Sequence, residues 1–232
     1  MPRTAGARNS DYELARDRLL DAVIPRLTVA VADRPSFREL ADHAQVSVST
    51  LRHYFADREG LVIAAFTRMH DLGREHMEAS VLLASLPAEE ALRAYCENLL
   101  LAWQSFGVGA MLSTALAEGM NQPRLGPAYV QELLEPMIQG CEALLGGLVE
   151  AGSLPPLDTR LGAIQLISPL FVALLHQDTL GGVACRPLDL GAFAPAHVRA
   201  FLAGHGGLTQ ASLDVAQAGS TRSSTPVSPN EV

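Results

Sequence analysis

The chain has 232 residues, 48% of them hydrophobic, a formal net charge of -8 and a mean hydropathy of +0.17. That much apolar material excludes an intrinsically disordered polypeptide and allows one large domain or two modest ones. No uncharged run of 18 apolar residues and no hydrophobic leader stand out, so a soluble, cytoplasmic chain with no membrane partner is expected.

Residues 1–10 are polar and short of core side chains, which predicts a loose, disordered arm. Arg3 and Arg8 on it are placed to reach a minor groove if the chain binds DNA. A first long helix is expected from Ser10 or Asp11 to about Asp33, with Leu14, Leu19, Leu20, Val23, Leu27 and Val31 on its inner side and a kink at Pro25. Ser36 and Glu39 have the spacing of a capping box, so a second helix begins at Phe37 and buries Phe37, Leu40, Ala41 and Ala44. Gln45-Val46-Ser47 forms the turn. Ser47 caps a third helix from Val48 to Tyr54 or Phe55.

At about 100° per residue, Leu51, Tyr54, Phe55 and part of Val48 share one side of this third helix. Ser49 and His53 fall near the opposite pole, flanked by Thr50 and Arg52. Hydroxyls, an imidazole and a guanidinium on a free face suit the DNA major groove, because they hydrogen-bond base edges and phosphates. Asp57 can cap a fourth helix, with Arg58 in its first turn. A cation is disfavoured at a helix N-terminus, and a DNA phosphate would supply a reason for it.

The segment resembles the helix-turn-helix of TetR-family transcriptional regulators. Leu40-Ala41, Ala44-Gln45-Val46-Ser47, Thr50-Leu51-Arg52-His53-Tyr54-Phe55 and Arg58-Glu59-Gly60-Leu61 stand in the order and spacing of that family's pattern. Three positions depart from it: Gln45 replaces the turn glycine, Arg52 a tyrosine and Ser49 a frequent glycine. If Gln45 has a positive φ, the replacement costs about 1 kcal/mol.

The fourth helix continues toward Leu83, with His70, Asp71, Arg74, Glu75 and His76 along its middle, either a hinge network or a solvated face. Further helices are expected from Pro87 to about Phe106, from Met111 to Met120, from about Ala128 to Glu150 and from about Thr159 to Leu180, with a last short one from Pro195 to Ala203. Gly107 and Gly109 read as a break. Leu161, Ile164, Leu166, Ile167, Leu170, Phe171, Leu174 and Leu175 cover most of the circumference of the 159–180 helix, kinked at Pro169. Such a helix must be buried on most sides, either against a second copy of the chain or inside its own core. Residues 206–232 are rich in Gly, Ser, Thr, Gln and Pro and read as a disordered tail.

Charge is unevenly spread. Residues 1–70 hold 10 arginines against 9 acids, and residues 71–232 hold 7 against 16. The N-terminal part can therefore approach a polyanion while the remainder is repelled. Cys96, Cys141 and Cys185 lack any paired or metal-ligating spacing and read as reduced core thiols. No phosphate loop, zinc motif or nucleophile elbow is present, and His176 with Asp178 diverge on one helix, so no enzyme, cofactor or metal is expected.

The resulting expectation is an all-α chain: an arm over 1–10, a three-helix DNA-binding part over 11–57, a connecting helix over 58–84, a helical effector-binding and dimerisation part over 85–205, and the tail. Arg38, Ser47, Val48, Ser49, Thr50, Arg52, His53, Tyr54 and Arg58 are the DNA-binding candidates. Trp103, Phe106, Met111, Glu118, Met120, Tyr129, Met137, Phe171 and His176, with Gln165 and Gln177, are the effector-pocket candidates, although the same residue types fill helical cores. The resemblance implies a homodimeric regulator of a near-palindromic duplex operator, acting as a repressor released by a small molecule. A helical ligand-binding module, an enzyme or a protein adaptor without sequence-specific DNA binding remains open.

Overall fold

The computed structural model describes residues 5–27, 34–105 and 107–206, with the backbone alone for residues 5–9 and His76. Among these residues the regular structure is helical. It comprises α1 (Ala5–Leu27), α2 (Phe37–His43), α3 (Val48–Phe55), α4 (Arg58–Ser80), α5 (Ala88–Gln104), α6 (Val108–Asn121), α7 (Leu125–Tyr129), α8 (Glu135–Glu150), α9 (Thr159–Leu174), α10 (Gly182–Cys185) and α11 (Leu190–Gly204). A 3-10 turn over Val81–Ser85 ends α4. Wide π turns over Val130–Leu134 and Leu175–Thr179 join α7 to α8 and extend α9.

The caps form where local chemistry places them. The Glu39 amide donates to Ser36 Oγ at 3.2 Å and the Ser36 amide to Glu39 Oε2 at 2.7 Å, so both arms of the capping box are made. Ser47, Asp57 and Asp158 cap α3, α4 and α9 through their side chains. Asp189 does the same for α11, which therefore begins at Leu190 and carries Pro195 inside it.

Other expectations are corrected. Helix α1 starts at Ala5 rather than at Ser10 or Asp11, so more than half of the predicted arm is helical. Its predicted end near Asp33 and nearly all of the tail lie outside the described residues, while the predicted break falls at Gly107, which has a φ of 71° between α5 and α6. Gly109 does not interrupt α6. A Cβ there would stand 2.5 Å from Trp103 Nε1, so the glycine lets the indole lie against the helix. Residues Thr159–Thr179 are long and apolar enough to cross a membrane by length and composition. Leu166, Ile167, Leu170 and Leu174 of that helix are buried in the protein core.

Two apolar clusters organise the chain. The first joins Leu20, Val23 and Leu27 of α1, Leu40 of α2, Leu51 and Phe55 of α3, and Leu61, Val62, Ala65 and Phe66 of α4. It continues without a gap into Ala115 of α6, Leu125 and Tyr129 of α7. The second is built from α5, α8, α9 and α11 around Leu92, Leu144, Leu145, Leu148, Leu166, Leu170 and Leu202. Each fully buried leucine contributes about 1.5–3 kcal/mol relative to exposure. Burial pushes the Cys96 and Cys141 thiols up to about 12, which keeps them unreactive. Cys185 is exposed, so it is not the core thiol the sequence suggested.

Candidate nucleic-acid interface and inter-domain junction

Helix α3 is held from below by Leu51 and Phe55, both buried, and by Val48 and Tyr54, half-buried. Ser49, Thr50, Arg52 and His53 are exposed, as the helical period requires. At its start, Ser47 Oγ accepts from the Thr50 amide at 3.0 Å and lies 2.8 Å from Ser49 Oγ and 2.7 Å from Thr50 Oγ1. Three hydroxyls thus gather at the N-terminal end, where base edges and backbone oxygens are met in helix-turn-helix docking. Arg38 is exposed on α2.

Tyr12 of α1 was not foreseen. Its ring stacks on Tyr54 at 4.8 Å between centroids, and His53 stands edge-on to both rings, at 6.0 and 5.2 Å. Arg16 lies 5.7 Å from the Phe55 ring centre. These contacts fix α3 against α1 and set the direction of His53. The only sequence signal was an aromatic at an otherwise polar helix start.

The turn between α2 and α3 carries Gln45 at φ 56°. A non-glycine residue in this region is strained. Gln45→Gly is therefore expected to raise stability by about 1 kcal/mol, read as a higher urea midpoint with an unchanged slope.

Arg58 departs from its expected role. Its Nε donates to the Pro35 carbonyl at 2.7 Å, while Nη1 and Nη2 donate to the two Glu118 carboxylate oxygens at 2.7 and 2.6 Å. Its side chain is 15% exposed and that of Glu118 is 7% exposed. The anion that accounts for a cation at the start of α4 is thus a carboxylate of α6, not a phosphate. Arg34 Nε lies 3.6 Å from the same carboxylate. Beside it, Arg124 Nη1 donates to Asp57 Oδ2 at 3.0 Å and lies 3.2 Å from Glu59 Oε2. The Gly60 amide and, next, Arg124 hold the Asp57 carboxyl below its ordinary range. Neither Glu118 as an ion-pair partner nor Arg124 was legible, since each partner is 60 residues or more away along the chain.

The effector candidates do not assemble into one cavity. Met111 and Glu118 line a space of about 20 Å³ between α1, α4 and α6, with Ile24, Leu27, Val62 and Phe66, which is room for about one water. Tyr129 packs edge-on to Phe66 in the first cluster. Trp103 meets Phe171 edge-on at 5.6 Å in the second, where Met137 also packs. Met120 is 80% exposed and lines nothing. His176 and Gln165 are exposed as well, the first against Gln177 and the second against His205. Gln177 is buried but serves structure, accepting from the Leu188 amide at 3.0 Å. Phe106 lies outside the described residues.

No protein-family model and no curated protein matches the chain. Solved structures do. A protein of Mesorhizobium loti assigned to the TetR-family transcriptional regulators superposes with a TM-score of 0.67 at 22% identity, over 87% of this chain and 98% of that one. PfmR, a TetR-family transcriptional regulator from Thermus thermophilus, covers 83% of this chain and 100% of its own at 19% identity and a TM-score of 0.55. The fold is that of TetR-family transcriptional regulators. Bacillus subtilis FadR, a transcriptional regulator solved in complex with stearoyl-CoA, shares this TetR-like fold with a TM-score of 0.60 at 17% identity, over 83% of this chain and 98% of that one. Within the TetR-like fold, α2 and α3 are the helix-turn-helix and α5 to α11 the larger helical part.

Proposed function

We propose that the chain is a TetR-like, homodimeric, sequence-reading DNA regulator of the cytoplasm, not an enzyme, which represses from a near-palindromic operator and is released by a small effector. The observation that carries this reading is α3 itself: Leu51 and Phe55 anchor one side while Ser49, Thr50, Arg52 and His53 are all exposed on the other. Ser49, Thr50 and His53 meet base edges, and Arg52 and Tyr54 hold phosphates, with Ser47, Val48 and Arg38 at the margin of the contact. Two copies place their α3 helices in successive major grooves about 34 Å apart.

Dimerisation is supported by α9, where Leu161, Gln165, Ser168 and Val172 recur along one exposed face. On the neighbouring α11, the exposed Ala192, Ala196, Ala200 and Ala203 make a stripe that another helix can approach closely. FadR solved in complex with stearoyl-CoA supports the reading that a chain of this fold takes a small-molecule effector. Release requires that the effector bind the DNA-incompetent arrangement more tightly than the competent one.

The test is selection of bound sequences from random duplex DNA at near-physiological salt, with an Arg52→Ala, His53→Ala double variant alongside. The expected result is a near-palindrome enriched by the parent chain and not recovered by the variant. Enrichment of the same sequence by both would show that α3 does not read the bases.

A further inference from the structure

We infer that Glu118 and Arg124 are positioning residues which latch the DNA-reading end to the larger domain through a reciprocal pair of charge contacts, and so fix the angle at which α3 is presented. This inference rests on the DNA-regulator reading above.

The geometry is specific to the junction. One cation of the DNA-reading end, Arg58, enters a buried carboxylate of α6 with two parallel hydrogen bonds at 2.6 and 2.7 Å, the strongest geometry available to an arginine. In the opposite sense, Arg124, between α6 and α7, reaches the acids on either side of Arg58, Asp57 and Glu59. The signs alternate across the interface, so sliding α4 by one residue would bring like charges together. Arg58 also donates to the Pro35 carbonyl, in the segment that leads into α2. The same guanidinium therefore touches the approach to α2, the start of α4 and the flank of α6.

The unit that the latch holds is stiff. Arg68 of α4 donates to both Asp21 oxygens, at 2.9 and 3.1 Å, and to Asp17 at 3.3 Å, tying α1 to α4. With Tyr12 stacked on Tyr54, α1, α3 and the first half of α4 turn as one body. Behind the latch, α6 and α7 lie backbone to backbone: a Cβ on Gly126 would stand 2.9 Å from the Gly119 carbonyl oxygen. A small displacement of α6 is therefore passed to α3 through Glu118 and Arg124.

The experiment uses the full chain with Cys185→Ser to leave only buried native thiols. Spin labels at Asp42→Cys on α2 and Glu97→Cys on α5, both exposed, report the distance between the two parts, with labelled chain diluted into excess unlabelled chain before assembly. Glu118→Gln is expected to widen that distance distribution. It should also lower affinity for the selected operator about 5- to 150-fold, with binding to unrelated duplex unchanged. If Glu118→Gln does not fold, Arg124→Ala removes the exposed half of the latch and is expected to widen the distribution by a smaller amount. An unchanged distribution in the folded variants overturns the latch. So does tighter operator binding by Glu118→Gln, which would mean that Glu118 withholds Arg58 from the DNA. If the parent chain selects no operator, the functional reading fails, while the distance measurement still decides the latch.

Discussion

Replacing Val172 with arginine is expected to yield a folded monomer that has lost operator binding. Val172 is 62% exposed on α9, and the same helix shows Leu161 at 57% and, past its π turn, Leu180 at 77%. On the opposite side Leu166, Ile167, Leu170 and Leu174 are packed in the core, so the substitution leaves the fold of the single chain intact. In a dimer built on this face the guanidinium would be buried among apolar side chains without a carboxylate partner, which is strongly unfavourable. A monomer holds one half-site at a time and forfeits the gain from linking two, about 10²- to 10⁴-fold. Sedimentation should give a mass near that of one chain, and titration of the selected operator should show a loss of about that size. A variant that remains dimeric would move the interface away from α9.

How much of this was legible in the sequence depended on how far each residue's partner lies along the chain. The capping box of Ser36 and Glu39 and the caps by Ser47 and Asp57 were readable because donor and acceptor lie within three residues. The two faces of α3 were readable because they follow from one period. Arg58 was read correctly as a cation in need of an anion and then given the wrong one, because its actual partner lies 60 residues on. Glu118 was proposed for a pocket on residue type alone, and its fold-defining contact could not be seen. The pocket candidates dispersed for a related reason. A methionine or aromatic can be recognised as burying itself, but the sequence does not say into which of two cores. Tyr129 went to the first, Trp103 and Phe171 to the second, and Met120 to the surface.

The same reasoning explains why the strain in the two turns of the helix-turn-helix was only half visible. Gln45 could be questioned because the resemblance puts a glycine there, and its φ of 56° bears the suspicion out. Ala56 carries no such flag, yet it sits at φ 63° and ψ -59°. The Asp57 amide donates back to the Phe55 carbonyl at 2.7 Å across it. This three-residue turn is rare and strained. It persists because α3 on one side and the Asp57 cap on the other over-determine it.

Gly60→Ala is expected to be the most damaging single methyl among helices α1 to α4. Gly60 occupies a position that the family pattern leaves variable, and its φ is not positive, so neither resemblance nor backbone class marks it. A Cβ at this residue, however, would lie 2.2 Å from the Phe55 carbonyl oxygen. That oxygen is backbone and already accepts from Asp57, and it belongs to a turn that has no slack. Relief requires α4 to back away from α3, which breaks the Asp57 cap, strains the Arg124 and Arg58 contacts and opens the core around Leu51, Phe55 and Leu61. We expect a cost of about 3 kcal/mol or more, at the upper end for a single substitution, with loss of operator binding. Gly140→Ala and Gly146→Ala are the matched controls. Both lie within α8 with nothing inside 4 Å of the added methyl, and each should stabilise by about 0.5–1 kcal/mol. Equal melting temperatures for Gly60→Ala and the parent chain would show that the α3 to α4 turn can open without cost, and the rigidity assigned to the DNA-reading end would fall with it.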